Sequence, residues 1–219
     1  MQVLLNNRTR GQHQMVKKYD NIYVVGSIKG DYNRFMQVWE QMQVNPQRDL
    51  VIFLGDYIGI ESGNGDMMNW VMKHQDDENL EFFPGANESL MYASESDEDE
   101  EDDEDIRGLW MDDKGGHEVD YAIDAQEDVG AFYEEWMDFL RTLHQRDNFA
   151  VETEEVTYVF LNQNWNSGDY KNPKVITNEV LETSGVRTDP IFPDGRVVAC
   201  ELLKQKYYMS ETKQAYRDK

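Results

Sequence analysis

The length of 219 residues and the formal net charge of −23 limit what this chain can be. A chain of this length fits one globular domain, and its five Trp, nine Phe and twelve Tyr supply large apolar side chains for a core. So much negative charge repels the phosphate backbone of nucleic acids and anionic membrane surfaces, which argues against direct binding to either.

The single cysteine and the polar start of the chain indicate the compartment. Cys200 has no second cysteine to pair with, and its apolar surroundings favour a buried thiol. No apolar stretch approaches the roughly 20 residues of a membrane helix, and Met1 to Lys18 is polar where a signal peptide has an apolar core. We therefore expect a cytoplasmic protein that is neither exported nor inserted into a membrane.

Residues 21–54 are predicted to form a strand, a helix and a second strand. Asn21 to Val25 is a buried strand that ends at Gly26, and Asp49 to Leu54 is another that ends at Gly55. Between them, Asn33 to Gln43 carries apolar residues at helical spacing, with Asp31 as its cap. A strand, helix and strand of this kind predict a parallel pair with a right-handed crossover, so the expected fold class is α/β or layered α+β.

The next segment repeats the alternation. Asp66 to about Gln75 is a predicted helix with Met67, Trp70 and Val71 inward, and His74 is expected to be a solvated residue at its end. Leu80 to Phe83 is a third strand, followed by a turn at Pro84 and Gly85.

An acidic run then interrupts the pattern. Ten of the eleven residues from Glu95 to Asp105 are Asp or Glu, without an apolar residue to favour folding. We predict one domain over residues 1–219 with a disordered acidic insert at about 94–106. The interaction candidates within it are Glu95, Asp97, Glu98, Asp99, Glu100, Glu101, Asp102, Asp103, Glu104 and Asp105. The alternative, given nearly equal weight, is a solubilising insert that has no partner.

Ordered structure is expected to resume at Trp110. Ala131 to Asp147 carries the strongest helical periodicity in the chain, and Val156 to Leu161 and Arg196 to Leu203 are later strands joined by a long irregular connection. Because these apolar runs lack the alternation of a one-sided sheet, we predict that Val156 to Leu161 lies beside the first two strands. The polar tail from Ser210 is expected to fray.

The three segments that follow the first three strands carry a motif. They run from Val25 to Tyr32 (VGSIKGDY), from Phe53 to Ile60 (FLGDYIGI) and from Phe83 to Met91 (FPGANESLM). In order and spacing they resemble the blocks G-D-x-H-G, G-D-x-x-D-R and G-N-H-E of the calcineurin-like metallophosphoesterases, in the phosphoprotein phosphatase branch. The chain length is similar to that of the lambda-type phage serine/threonine phosphatases. This resemblance implies that functional residues collect where these strands end.

The resemblance also implies two divalent metal ions held by Asp, His and Asn side chains, which activate a water and bind phosphate oxygens. The matching positions of this chain are Ser27 and Lys29, then Asp56, Gly59 and Ile60, then Ala86, Asn87 and Glu88, and finally Asn162 after a later strand. Of the metal-binding side chains only Asp56 is kept. One carboxylate cannot assemble a dinuclear centre, so we expect no metal cofactor and no catalytic residue.

Two residues could modify this interpretation. His117 is the one histidine near a plausible active-site loop, although a plain loop histidine is the favoured interpretation. Lys29 could pair with Asp56 and balance the charge of the former site without a metal. We expect Ser27, Lys29, Asp56, Ala86, Asn87 and Asn162 to cluster at one rim of the sheet.

The sequence therefore predicts a catalytically inactive phosphatase-like protein, of the kind that phages encode, acting in the host cytoplasm. Its partner would be a host or viral protein with a basic surface, such as a nucleic-acid-processing enzyme, because carboxylates can take the place of phosphates. One alternative is a divergent metal-dependent phosphoesterase that uses Asp56, Glu88 and other ligands. Another is a virion or assembly component.

Overall fold

The computed structural model describes residues 2–4, 16–95, 103–145, 149–152, 157–160, 173–176, 198–201 and 206–209. The strands are β1 (Gln2–Leu4), β2 (Val16–Lys18), β3 (Asn21–Gly26), β4 (Asp49–Phe53), β5 (Leu80–Phe82), β6 (Phe149–Glu152), β7 (Thr157–Phe160), β8 (Pro173–Ile176), β9 (Val198–Glu201) and β10 (Lys206–Met209). The helices are α1 (Tyr32–Met42), α2 (Asn64–His74), α3 (Ala86–Ser94), α4 (Asp103–Gly108), α5 (Gly116–Asp124) and α6 (Val129–His144), with a π-helical turn at Leu109–Asp113 between α4 and α5.

The largest sheet has five strands in the order β10-β9-β3-β4-β5. Strands β3, β4 and β5 are parallel, with Ile22 opposite Leu50 and Val51 opposite Leu80. Helices α1 and α2 connect them, which confirms the predicted alternation of strands and helices. The fold is mixed α/β.

The predicted place of Val156 to Leu161 is wrong. Within the described ranges this segment forms β7, which pairs with β6 and β8 in a separate three-stranded sheet. The free edge of β3 is instead taken by β9, antiparallel, with Val24 opposite Cys200. An apolar run shows that a strand is buried but not which strand it pairs with, since pairing is decided by contacts distant in sequence. Strand β8 also lies in a connection that we expected to be irregular.

Both faces of β3 and β4 are covered. Tyr23, Val25, Val51 and Phe53 belong to the hydrophobic core that α1, α2 and α6 share. Their alternating neighbours Ile22, Val24, Leu50 and Ile52 are also fully buried, on the opposite face. There the ring of Phe83 lies against Phe160 of β7, with 6.5 Å between centroids. The second sheet therefore lies on the face that the helices leave free.

Helix α1 begins at its predicted cap, whereas α6 begins at Val129, two residues before the predicted start at Ala131. Asp31 caps α1 by accepting a hydrogen bond from Arg34 N at 3.2 Å, and Asp128 caps α6 in the same way from Ala131 N at 3.1 Å. His74 ends α2 but is half-buried rather than solvated, because its ring lies 4.5 Å from Trp70 and its Nδ1 is 2.7 Å from Asp77.

The boundaries predicted for the acidic insert are too wide. Ser94 ends α3, and α4 already begins at Asp103, so Asp103, Glu104 and Asp105 are helical. Ordered structure thus resumes before Trp110, which the π-helical turn buries. Residues 96–102, Asn162 and the tail from Ser210 lie outside the described residues.

Candidate functional site

The loops after β3, β4 and β5 meet at one rim of the sheet. Ile28 N and Lys29 N both donate to the Asp56 carbonyl oxygen, at 2.9 and 2.6 Å. The Ser27 hydroxyl lies 3.5 Å from Asp56 Oδ2, and Asn87 N donates to Asp56 Oδ1 at 3.1 Å. Ala86 begins α3 beside Asn87. The structure thus brings five of the six predicted residues together around Asp56.

Glu88 holds the second and third loops to each other. Its Oε2 accepts hydrogen bonds from Asp56 N at 2.6 Å and Gly85 N at 2.8 Å. Its Oε1 accepts from Tyr57 N at 2.8 Å and Ile58 N at 3.2 Å. Each carboxylate oxygen therefore has two backbone donors, and the side chain is fully buried. Glu88 is a structural link, with its acceptor capacity filled by the backbone.

Two carboxyl groups lie close together inside this rim. Burial raises the pKa of Glu88 above its usual range, and the charge of the neighbouring Asp56 adds to the rise. The backbone N–H groups that donate to Glu88 oppose this rise in pKa, because they stabilise the ionised form. The ionised carboxylate of Glu88 can accept all four backbone hydrogen bonds, whereas a protonated carboxyl group would lose one of these acceptor positions.

The backbone of the rim is strained. Ser27, Lys29 and Asp56 all have left-handed conformations, with φ of 46°, 53° and 54°. Side chains disfavour this region by about 1 to 2 kcal/mol per residue, so the surrounding hydrogen bonds must hold them there. Gly55 has a φ of +83°, and a Cβ at this position would lie 1.9 Å from Gly85 N. Glycine is required for the second and third loops to approach so closely.

The second loop has no room for the aspartate that the resemblance places at Gly59. A Cβ on Gly59 would lie 2.8 Å from Asn87 Nδ2 and 3.1 Å from Lys29 Cα. The turn at Gly115, with a φ of +95°, packs over the same residue, and a Cβ on Gly115 would lie 2.4 Å from the Gly59 carbonyl carbon. The Asn64 side chain holds the Gly59 backbone in place. Its Oδ1 accepts a hydrogen bond from Gly59 N at 2.9 Å, and its Nδ2 donates to the Gly59 carbonyl oxygen at 2.8 Å.

These residues do not fit the dinuclear metal centre that the resemblance implies. Ser27, Asp56 and Asn87 are only 2%, 8% and 5% exposed, and Ala86 offers no side-chain donor atom. Among the described residues, no three His, Cys, Asp or Glu side chains are grouped so that they could hold a metal ion. The three motif segments hold two other carboxylates: Glu88 is saturated by backbone N–H groups, and Asp31 caps α1.

Lys29 and His117 are the two residues expected to be able to change the chemistry of the site, and the structure describes both. Lys29 joins the rim through its backbone, and no ion pair between its side chain and Asp56 is seen among the described residues. The Ser27 hydroxyl lies against that carboxylate instead. His117 is not in a loop but in the first turn of α5, where it is exposed, with Nε2 3.8 Å from Asp112 Oδ1.

Sequence reasoning missed two residues that close the rim. Asn64 is fully buried and hydrogen-bonded to the Gly59 backbone, although an asparagine beside a glycine is typical of an exposed turn. Gly115 contacts a residue more than 50 positions earlier, and its one signal was the Gly-Gly pair, which predicts a turn but not the surface that the turn covers.

Glu95, the interaction candidate whose side chain the structure describes, lies away from this rim. Glu95, at the far end of α3, accepts a hydrogen bond from the Tyr133 hydroxyl of α6 at 2.8 Å. Partial burial and this hydrogen bond raise the pKa of Tyr133 to about 12. The pKa of Asp120 on α5 is also raised, first by burial and then by the charges of Glu95 and Asp124. The acidic run therefore begins beside an acidic surface of α5 and α6.

Comparison with known proteins adds no assignment. No protein-family model matches the chain, and no curated protein matches its sequence. Within the described ranges, none of the helices combines the length and apolar character needed to cross a membrane.

Proposed function

We propose that this chain is a pseudophosphatase, a metallophosphoesterase-like scaffold of phage type that acts by binding a protein rather than by hydrolysis. Its partner is a host or viral protein with a basic surface, and its own contact surface is acidic.

The closed rim carries this proposal. A dinuclear phosphatase needs open coordination positions for water and for phosphate oxygens. Here the side chains of Ser27, Asp56 and Asn87 are almost fully buried and bonded to one another or to the backbone. The turn at Gly115 packs directly on Gly59, the position where the resemblance implies an aspartate. This arrangement supports a structural role for the former motif.

The charge distribution supports binding to a basic partner. The chain carries 44 Asp and Glu against 21 Lys and Arg. Such an excess of carboxylates speeds encounter with a positively charged surface and suppresses binding to nucleic acid itself.

Metal titration and phosphatase assays test the proposal. The purified protein should bind Mn²⁺ or Zn²⁺ at less than one equivalent by titration calorimetry. It should hydrolyse p-nitrophenyl phosphate and a phosphopeptide no faster than the Asp56→Ala variant does. Turnover that requires both metal and Asp56 would instead establish the divergent phosphoesterase.

A further inference from the structure

One helix of the acidic surface presents an aromatic ring to solvent. On α5, Val119 and Ile123 are buried in the core. Just after the helix, the Gln126 side chain accepts a hydrogen bond from Asn69 of α2 at 3.3 Å. Tyr121 lies on the opposite side of the helix from these contacts and is 73% exposed. No other large hydrophobic residue among the described ones is as exposed.

Carboxylates flank this ring along the helix. Glu118 and Asp124 lie three residues before and after Tyr121, which places them on the same face one turn away. Both are exposed. A ring with a carboxylate on each side is therefore the central feature of the outward face of α5.

Most of the charges around this ring are negative, although His117 lies one turn before Tyr121 and Arg107 lies close enough to Asp120 to lower the pKa of that carboxyl. Between residues 112 and 138 the exposed charged residues are ten carboxylates and the single cation Lys114. The carboxylates are Asp112, Asp113, Glu118, Asp120, Asp124, Glu127, Asp128, Glu134, Glu135 and Asp138. Glu95 also lies near Asp120, so the surface is continuous with the start of the acidic run.

Arginine is the side chain that such a surface fits best. A planar guanidinium stacks on an aromatic face and also forms paired hydrogen bonds to carboxylates, whereas an ammonium is a more strongly hydrated point charge. We infer that the outward face of α5, formed by Glu118, Tyr121 and Asp124, is a docking surface for an arginine-rich segment of the protein partner. This inference rests on the proposed binding function and names the surface that performs it.

Peptide binding by the 219-residue chain tests the inference. At low salt, fluorescence anisotropy should show that the chain binds a nonaarginine peptide more tightly than a nonalysine peptide. Tyr121→Ala should weaken the binding of nonaarginine about two- to fivefold and reduce the preference for arginine over lysine. All substituted residues are exposed, and circular dichroism should show unchanged folding.

Two double variants that each remove two negative charges distinguish binding at the α5 face from attraction to the acidic chain in general. Glu118→Gln with Asp124→Asn should weaken nonaarginine binding more than Glu134→Gln with Glu135→Gln on α6. Equal weakening by the two pairs, or no binding of nonaarginine by the unaltered chain, would overturn the α5 surface. Neither result bears on the proposed lack of catalysis, which only turnover dependent on Asp56 would overturn.

Discussion

At the scale of single residues, Glu88 is the side chain on which the rim depends most. Replacing it with glutamine puts an amide NH₂ group where two backbone N–H groups now donate, so buried donors would face each other. We expect Glu88→Gln to lower the free energy of unfolding by about 2 to 4 kcal/mol. Urea unfolding followed by Trp fluorescence measures this change.

The matched control is Glu40→Gln on the exposed face of α1, which removes the same charge. It should change the stability by less than about 0.5 kcal/mol. Equal stability of the two variants would show that Glu88 does not hold the loops together.

At the scale of structural elements, the turn before α5 determines whether the rim stays closed. Gly115 has a positive φ and touches the Gly59 backbone, so Gly115→Ala should destabilise the fold by about 1 to 3 kcal/mol. Gly108 ends α4 with a helical φ of −59°, and a Cβ there would meet nothing within 4 Å. Gly108→Ala should therefore stabilise the fold by about 0.5 to 1 kcal/mol. Thermal unfolding of the pair should show shifts of opposite sign.

The elements also show what the sequence could predict. Buried strands β3 and β4 and helices α1, α2 and α6 follow from local periodicity, and the start of α1 follows from its cap Asp31. The motif spacing placed Ser27, Asp56 and Asn87 at one rim. The pairing of β9 with β3, the separate sheet of β7, and the contact of Gly115 with Gly59 depend on distant residues, for which local patterns carry no information.

At the scale of the whole molecule, the acidic run carries less than half of the net negative charge. Its ten carboxylates account for ten of the 23 net negative charges, which leaves −13 on the rest of the chain. Replacing Asp97, Glu98, Asp99, Glu100, Glu101 and Asp102 with their amides should therefore slow association with the proposed basic partner without abolishing it. Exposed carboxylates act mainly on the rate of encounter, through water and at long range.

Stopped-flow association and dissociation rates at low and high salt check this expectation. The association rate should fall at low salt, the dissociation rate should change less, and the two proteins should converge at high salt. Unchanged association at low salt would show that the run is a solvated insert and that recognition lies elsewhere.

The pairing of β9 with β3 has a consequence for how the protein is made. Val24 pairs with Cys200, so the main sheet joins residues 176 positions apart (200 − 24). While the chain emerges from the ribosome, β3 and β4 can pair early, but one edge of β3 waits until β9 has been synthesised. Long-range pairing of this kind slows folding. An open apolar edge can meanwhile pair with other chains, and the self-repulsion of so acidic a protein keeps nascent copies apart during that delay.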